Sequence, residues 1–185
     1  MSHSAKIIPN LALIQTLVDQ YRQAGQKIVL TQGSFDMIHI GHGRYLEKAK
    51  QQGDVLIVGV DDDAKVKQRK GTNRPVVPED ERLEMLSYLK SVDHVTLKPA
   101  GAPKWQLIKA IKPDVLVATE NTYSASQIKQ LSKWCGQVLV LRAQAITSTS
   151  AKIRRLQIGF FKTFSDKLTE KVHQAIDEVV LELKK

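Results

Sequence analysis

The run Val55-Leu56-Ile57-Val58-Gly59-Val60 limits the possible folds of this chain more than any other stretch. It has no polar face, which suits a parallel strand covered on both sides and not a half-exposed one. Shorter runs of the same kind are Ile28-Val29-Leu30, Val92 to Leu97, Val115 to Ala118 and Val138 to Leu141. Helix-like segments separate them. Asn10 caps a first helix whose stripe is Leu11, Ile14, Leu17, Val18 and Tyr21, ended by Gly25. Others are expected at about 43–52, from Glu79 to Leu89, from Lys104 to Ile111, from Ser124 to Trp134 and from Ser148 to Leu156. Strands alternating with helices at this spacing predict an α/β fold, a doubly wound parallel sheet with helices on both faces.

In such sheets ligands bind outside the carboxyl ends of the strands. The stretch Gln32-Gly33-Ser34-Phe35-Asp36-Met37-Ile38-His39-Ile40-Gly41-His42 lies there, between the first central strand and the next helix. His39 and His42 share one side of the first helical turn. Gly41 leaves the backbone open to a phosphate, and helix N-termini attract anions. The stretch reads as a phosphate site with two imidazoles. Two structural histidines at a buried helix end are the plain alternative. A zinc pair has little support, because no further Cys, His or Glu stands near. No Gly-x-x-x-x-Gly-Lys-Ser/Thr loop and no Gly-x-Gly-x-x-Gly occurs, which disfavours P-loop and dinucleotide chemistry.

The formal charge of +9 admits nucleic acid, a membrane surface or phosphorylated small molecules. Its main cluster, Lys65, Lys67, Arg69, Lys70 and Arg74, is expected in a loop at 64–74, with no interleaved aromatics of the kind that stack bases. A phosphate-rich small substrate fits better than nucleic acid. One cysteine, Cys135, excludes an internal disulfide and a cysteine-cluster metal site. No apolar run reaches the ~18 residues of a membrane span. The first residues lack a secretory signal's apolar stretch, so a cytoplasmic location is expected. Phe161, Phe164, Leu168, Val172, Ile176, Val179 and Leu183 step by three or four residues with charges between. They predict a C-terminal amphipathic helix whose stripe packs on the domain or on a second subunit. The expected organisation is an N-terminal helix at 1–26, a catalytic domain at 27–155 and a helical extension at 156–185.

Gly33-Ser34-Phe35-Asp36-Met37-Ile38-His39-Ile40-Gly41-His42 resembles the Gly-x-Phe-Asp-x-x-His-x-Gly-His signature of the cytidylyltransferase-like nucleotidyltransferases. Tyr45-Leu46, Gly53-Asp54, Asp63, Lys70-Gly71, Arg74-Pro75-Val76, Glu81-Arg82, Val92-Asp93, Pro113-Asp114 and Ser148-Thr149-Ser150 follow in that family's order. The resemblance covers about residues 27–155. It is nearest to the adenylyltransferase domain of ADP-heptose synthases, with glycerol-3-phosphate cytidylyltransferase and archaeal-type FAD synthetase as relatives.

The resemblance implies a Rossmann-like nucleotidyltransferase fold and an activity: AMP moves from ATP to a heptose 1-phosphate-like sugar phosphate, releasing pyrophosphate. CMP transfer from CTP to a polyol phosphate, FAD synthetase-like chemistry and a non-catalytic nucleotide-binding scaffold are the alternatives. A tRNA synthetase fragment would share His-Ile-Gly-His, but the chain is far too short for one.

The family's functional positions carry over as follows. His39 and His42 would donate to the triphosphate, Lys70 would hold α-phosphate or acceptor oxygens, and Arg74 would clamp phosphates. Gly33, Ser34, Phe35, Asp36 and Gly41 would form the nucleotide-binding turn. Ser148, Thr149 and Ser150 would seat the β and γ phosphates at a helix start. Mg²⁺ would neutralise the triphosphate, with no protein metal site, and the enzyme is expected to be a homodimer. Asp63 and Arg82 also match, and each has a structural explanation. One departure stands out. The heptose enzymes continue after the strand ending at Val117 with Lys-Gly-Gly-Asp-Tyr, whereas this chain has Ala118-Thr119-Glu120-Asn121-Thr122-Tyr123.

Overall fold

The computed structural model describes residues 2–120, 122–145 and 149–183. It divides into two compact units, Met1–Ile146 and Thr147–Lys185. The first unit is built on six parallel strands: β1 (Ile7–Ile8), β2 (Ile28–Gly33), β3 (Val55–Asp61), β4 (His94–Lys98), β5 (Val115–Thr119) and β6 (Gln137–Leu141). Their order is β1-β4-β3-β2-β5-β6. Successive crossovers from β2 run to β3 and β4 on one side, while β5 and β6 lie on the other. The chain therefore reverses direction across the sheet between β2 and β5, where a ligand crevice forms in such folds. The doubly wound α/β expectation is met.

β3 is buried along its whole length, as its unbroken apolar run requires. Side chains alternate between the faces. Leu30, Ile57 and Leu116 pack with α1 (Leu11–Gln23), α5 (Gln106–Ile111) and α6 (Ala125–Leu131) on one face. Val29, Leu56, Val58 and Val117 pack with α2 (Ile40–Lys50) and α4 (Glu79–Ser87) on the other. Asn10 caps α1 by accepting from the Leu13 N–H at 3.0 Å, and Gly25 follows that helix with φ of +71°.

Two readings change. The two-residue strand β1 joins the sheet edge beside β4, pairing Ile7 with Val95; an element so short leaves no periodicity to read. The basic stretch expected as a loop is mostly a helix, α3 (Asp63–Lys70). Asp62 caps it by accepting from the Lys65 N–H at 2.7 Å, Lys, Gln and Arg are good helix formers, and Gly71 ends it with φ of +97°. Charge density resembled a solvated loop, but the cap and the propensities decide for helix.

The second unit is one helix, α7 (Thr149–Leu183). The segments expected separately at Ser148–Leu156 and beyond Phe161 are continuous from Thr149. Leu156, Phe160, Phe161, Phe164, Leu168, Val172, Ile176 and Val179 are exposed along it. No described helix is long and apolar enough to cross a membrane.

Candidate active site

The site grows from the turn that joins β2 to α2. Gly33 ends the strand, and a Cβ there would stand 3.1 Å from the Phe35 ring. Phe35 and Met37 both adopt positive φ, +47° and +49°, a region unfavourable for non-glycine residues. The strain is held by what surrounds it. Phe35 is buried, and Asp36, also buried, accepts from the Val76 and Val77 N–H groups at 3.1 Å and from Arg74 Nε at 2.7 Å. A second Arg74 nitrogen, Nη2, lies 2.6 Å from Asp36 Oδ2. Asp36 thus binds the 74–77 segment to the turn. Arg74 is itself buried, so its guanidinium acts first as the counter-charge of Asp36.

His39 caps α2. Its Nδ1 accepts from the Gly41 N–H at 3.1 Å, and His42 Nδ1 accepts from the His39 N–H at 3.3 Å. In a neutral imidazole a nitrogen that accepts leaves the proton on the other one. Both rings therefore carry their N–H at Nε2, as donors. The rings stack with centroids 4.0 Å apart, and Phe35 lies 5.5 Å from the His42 ring. Gly41 is needed for a steric reason as well as for phosphate approach. A Cβ there would meet His39 Cε1 and Ala145 Cβ, each at 2.9 Å.

Lys70, the last residue of α3, donates to Ser34 Oγ at 2.7 Å. Although Lys70 is exposed as a residue, its ammonium group sits at the turn. Partial burial there, reinforced by Arg74 and Arg69, pushes its pKa down, against the opposing pull of Asp36 and Asp61. Arg82 braces the same region from α4. Fully buried, it donates to the carbonyls of Val77 at 3.0 Å and Asp61 at 2.9 Å, and to Asp63 Oδ1 at 2.7 Å. Arg82 also donates to the Ser34 carbonyl at 2.5 Å. These contacts assign Arg82 and Asp63 to scaffolding.

The structure thus gathers Gly33, Ser34, Phe35, Asp36, His39, Gly41, His42, Lys70 and Arg74 at one strand end. Ser148 lies outside the described residues, and Thr149 and Ser150 open α7 in the other unit. In the altered loop, Thr119 and Thr122 hydroxyls lie 2.9 Å apart and Glu120 meets exposed Arg142 at 3.9 Å; Asn121 lies outside the described residues. Tyr123 packs against the core below this loop, and burial pushes its hydroxyl pKa up to about 12.

The sequence reading passed over one group. Asp61, fully buried at the end of β3, meets Lys98 Nζ and Arg69 Nη1, each at 2.8 Å, and Lys65 Nζ at 3.8 Å. Burial alone would raise the Asp61 pKa, but these cations outweigh it and hold the carboxyl below its ordinary range. The available signal was Asp61-Asp62-Asp63 at a strand end. Only the register, which sets Asp61 beside Lys98, shows which aspartate points inward and to what.

A family model described as cytidylyltransferase-like matches residues 30–180. Three relatives named "Bifunctional protein HldE" align over part of their length. That of Nitratiruptor sp. is 44% identical over 60% of this chain and 24% of the relative. The Wolinella succinogenes protein is 40% identical over 78% of this chain and 30% of the relative. The Helicobacter pylori strain G27 protein is 49% identical over 82% of this chain and 31% of the relative. The chain thus spans less than one third of these relatives. Among solved structures, the lipopolysaccharide core biosynthesis protein of Thermoplasma volcanium superposes with a TM-score of 0.56 at 30% identity, covering 64% of this chain and 97% of that one. Pantoate-beta-alanine ligase of Francisella tularensis reaches the same TM-score at 19% identity, over 74% of this chain and 66% of that one, a likeness of fold alone.

Proposed function

We propose that this chain, which belongs to the cytidylyltransferase-like family, transfers AMP from ATP to a sugar phosphate of the heptose 1-phosphate type and releases pyrophosphate. The observation that carries the reading is the pair of Nδ1 acceptor bonds at His39 and His42. They lock two Nε2–H donors at the start of an eleven-residue helix, where the backbone also favours anions. An acceptor phosphate oxygen attacks the α-phosphorus, the bond from that phosphorus to the bridging oxygen breaks, and the electron pair leaves with pyrophosphate. The dianionic nucleophile needs no general base. Catalysis then consists of positioning and charge stabilisation. His39 and His42 donate to the oxygens around the α-phosphorus, and Lys70 neutralises charge beside them from Ser34. Arg74 serves chiefly by holding Asp36 and the turn.

Mg²⁺ belongs to the proposal as the counter-ion of ATP. Among the described residues no three His, Cys, Asp or Glu side chains converge on a possible metal position. The ion would therefore depend on triphosphate oxygens, as Mg²⁺ commonly does. We place the enzyme in the cytoplasm with its nucleotide supply, acting on small phosphorylated substrates and not on nucleic acid. The exposed stripe of α7 supports a homodimer joined through that helix. Truncation after Leu156 should then leave a monomer by light scattering; a truncated chain that is still dimeric, or a full chain that is monomeric, would refute a dimer joined through that helix.

The altered loop at 118–123 supports a second reading, in which the fold binds nucleotide without turnover. A pyrophosphate-release screen separates the two. ATP and CTP are each paired with heptose 1-phosphate, glycerol 3-phosphate and FMN. Release with ATP and a sugar phosphate is expected. Nucleotide binding with no release from any pair would leave only the scaffold reading.

A further inference from the structure

Gln32, Asp61 and Lys98 lie at the carboxyl ends of three adjacent strands and share one face of the sheet. Strand alternation requires this: Leu30 and Ile57 lie on the α1/α5 face, so Gln32 and Asp61 follow them there two and four residues on. Lys98 stands beside Asp61 in the strand register. Gly59 makes the arrangement possible, because a Cβ there would meet Leu107 Cδ2 at 2.6 Å and Lys98 Cδ at 3.0 Å. Without that Cβ, the Lys98 stem crosses β3 and delivers its ammonium to Asp61. Arg69 reaches the same carboxylate from α3. It is the residue before Lys70, whose ammonium rests at Ser34.

Asp61 is too deeply buried to touch a ligand, at 1% side-chain exposure. It instead fixes two cations of very different exposure, Arg69 at 58% and Lys98 at 16%. Arg69 commits one described hydrogen bond, to Asp61, out of the five N–H donors a guanidinium carries. Gln32 adds a buried amide nitrogen with no partner among the described residues. All three groups are donors, so their shared complement is an oxygen-rich anion. A buried charge cluster of this kind is a costly way to close a strand end. The nucleotide has its own place, since the crevice of the fold opens between β2 and β5. These cations lie on the opposite flank, over β3 and β4. In-line attack needs the nucleophile opposite the leaving pyrophosphate, and it must be drawn toward an α-phosphate that repels it.

We propose that Arg69, Lys98 and Gln32 hold the phosphate of the acceptor, with Asp61 as the positioning residue that fixes the two cations. This subsite rests on the transferase reading for its purpose but is tested by binding alone. Heptose 1-phosphate, glycerol 3-phosphate and inorganic phosphate are titrated by calorimetry into the full chain saturated with a non-transferable ATP analogue. Arg69→Gln and Lys98→Gln should each weaken the tightest of these phosphates at least tenfold while changing affinity for the ATP analogue less than twofold. Asp61→Asn should weaken the same ligand although it removes no cation. Should that variant lose its thermal transition, the two glutamine variants, at more exposed positions, still decide. Equal loss of ATP affinity would assign the cations to the nucleotide and overturn the subsite. So would unchanged phosphate affinity, or no binding of any of the three phosphates to the unsubstituted chain. Pyrophosphate release is measured in parallel. Phosphate binding that depends on Arg69 and Lys98, without turnover, would retain the subsite and reject the transferase; turnover indifferent to both variants would do the reverse.

Discussion

The turns after β2 and β5 leave neighbouring strands, yet they are built in opposite ways. Between Gly33 and His42 the polar side chains are tied to the backbone or to one another: Asp36 to Val76, Val77 and Arg74, His39 to Gly41, His42 to His39. Two residues sit at positive φ and are held there by buried neighbours. The loop from Thr119 to Tyr123 has a hydroxyl pair on its surface and a long ion pair to exposed Arg142. The first turn is preorganised for one task, as stabilisation of a developing charge demands. In the second, Thr119, Glu120 and Thr122 are exposed while Tyr123 packs against the core. The proposed chemistry uses the first turn, whose side chains are held from within.

The largest test of this contrast is Asp36→Asn. It leaves Arg74 buried without its counter-charge, and breaking a buried pair costs about 3–5 kcal/mol. Denaturant unfolding should show a loss of that size; a loss under 1 kcal/mol would mean the turn is not held from within. In the proposed reaction, His42→Ala removes a donor to the oxygens around the α-phosphorus. A fall in kcat of about 10²–10³ is expected, with a stability change of only about 1 kcal/mol for one lost hydrogen bond. If the variant unfolds instead, His42 is structural and the turn is not a catalytic device.

Lys70 gives a smaller effect, read from pH. Its lowered pKa means that the ammonium of the free enzyme loses its proton below the usual lysine value of about 10.4. In the proposed reaction the charged form neutralises phosphate, so kcat/KM should fall as pH rises through that lowered value. Lys70→Arg, which stays charged, should abolish this alkaline limb; a limb that persists belongs to another group. The smallest effect is expected in the other turn. Thr122→Ala removes one exposed hydroxyl contact and should change stability by less than about 0.5 kcal/mol, leaving the KM for ATP unaltered. A marked rise in that KM would place the nucleotide in the β5 loop and dissolve the contrast.

Much of the fold was legible because it depends on periodicity. β3 announces itself by an unbroken apolar run, α1 by its stripe and its Asn10 cap. The candidate site was legible where residue type and spacing are themselves the chemistry, as at His39 and His42. α3 was obscured because its charge resembles a solvated surface, and the Asp62 cap was one aspartate among three. Arg74 illustrates a different gap. Its residue type suits a phosphate clamp, but only packing shows its guanidinium committed to Asp36.

The sequence by itself determined the parallel sheet and most of its helices, and it marked the Gln32–His42 turn as the candidate site, since each is encoded in local pattern. Tertiary structure decided what local pattern does not contain. It chose Asp61 over Asp62 and Asp63 as the inward carboxylate. It brought Arg69, Lys98 and Gln32 from a helix and two strands to the carboxyl ends of the central strands. The histidine tautomers follow from donors two and three residues away at the helix start, whereas Asp61 and its cations depend on strand register and close packing, which are not properties of any single stretch of chain.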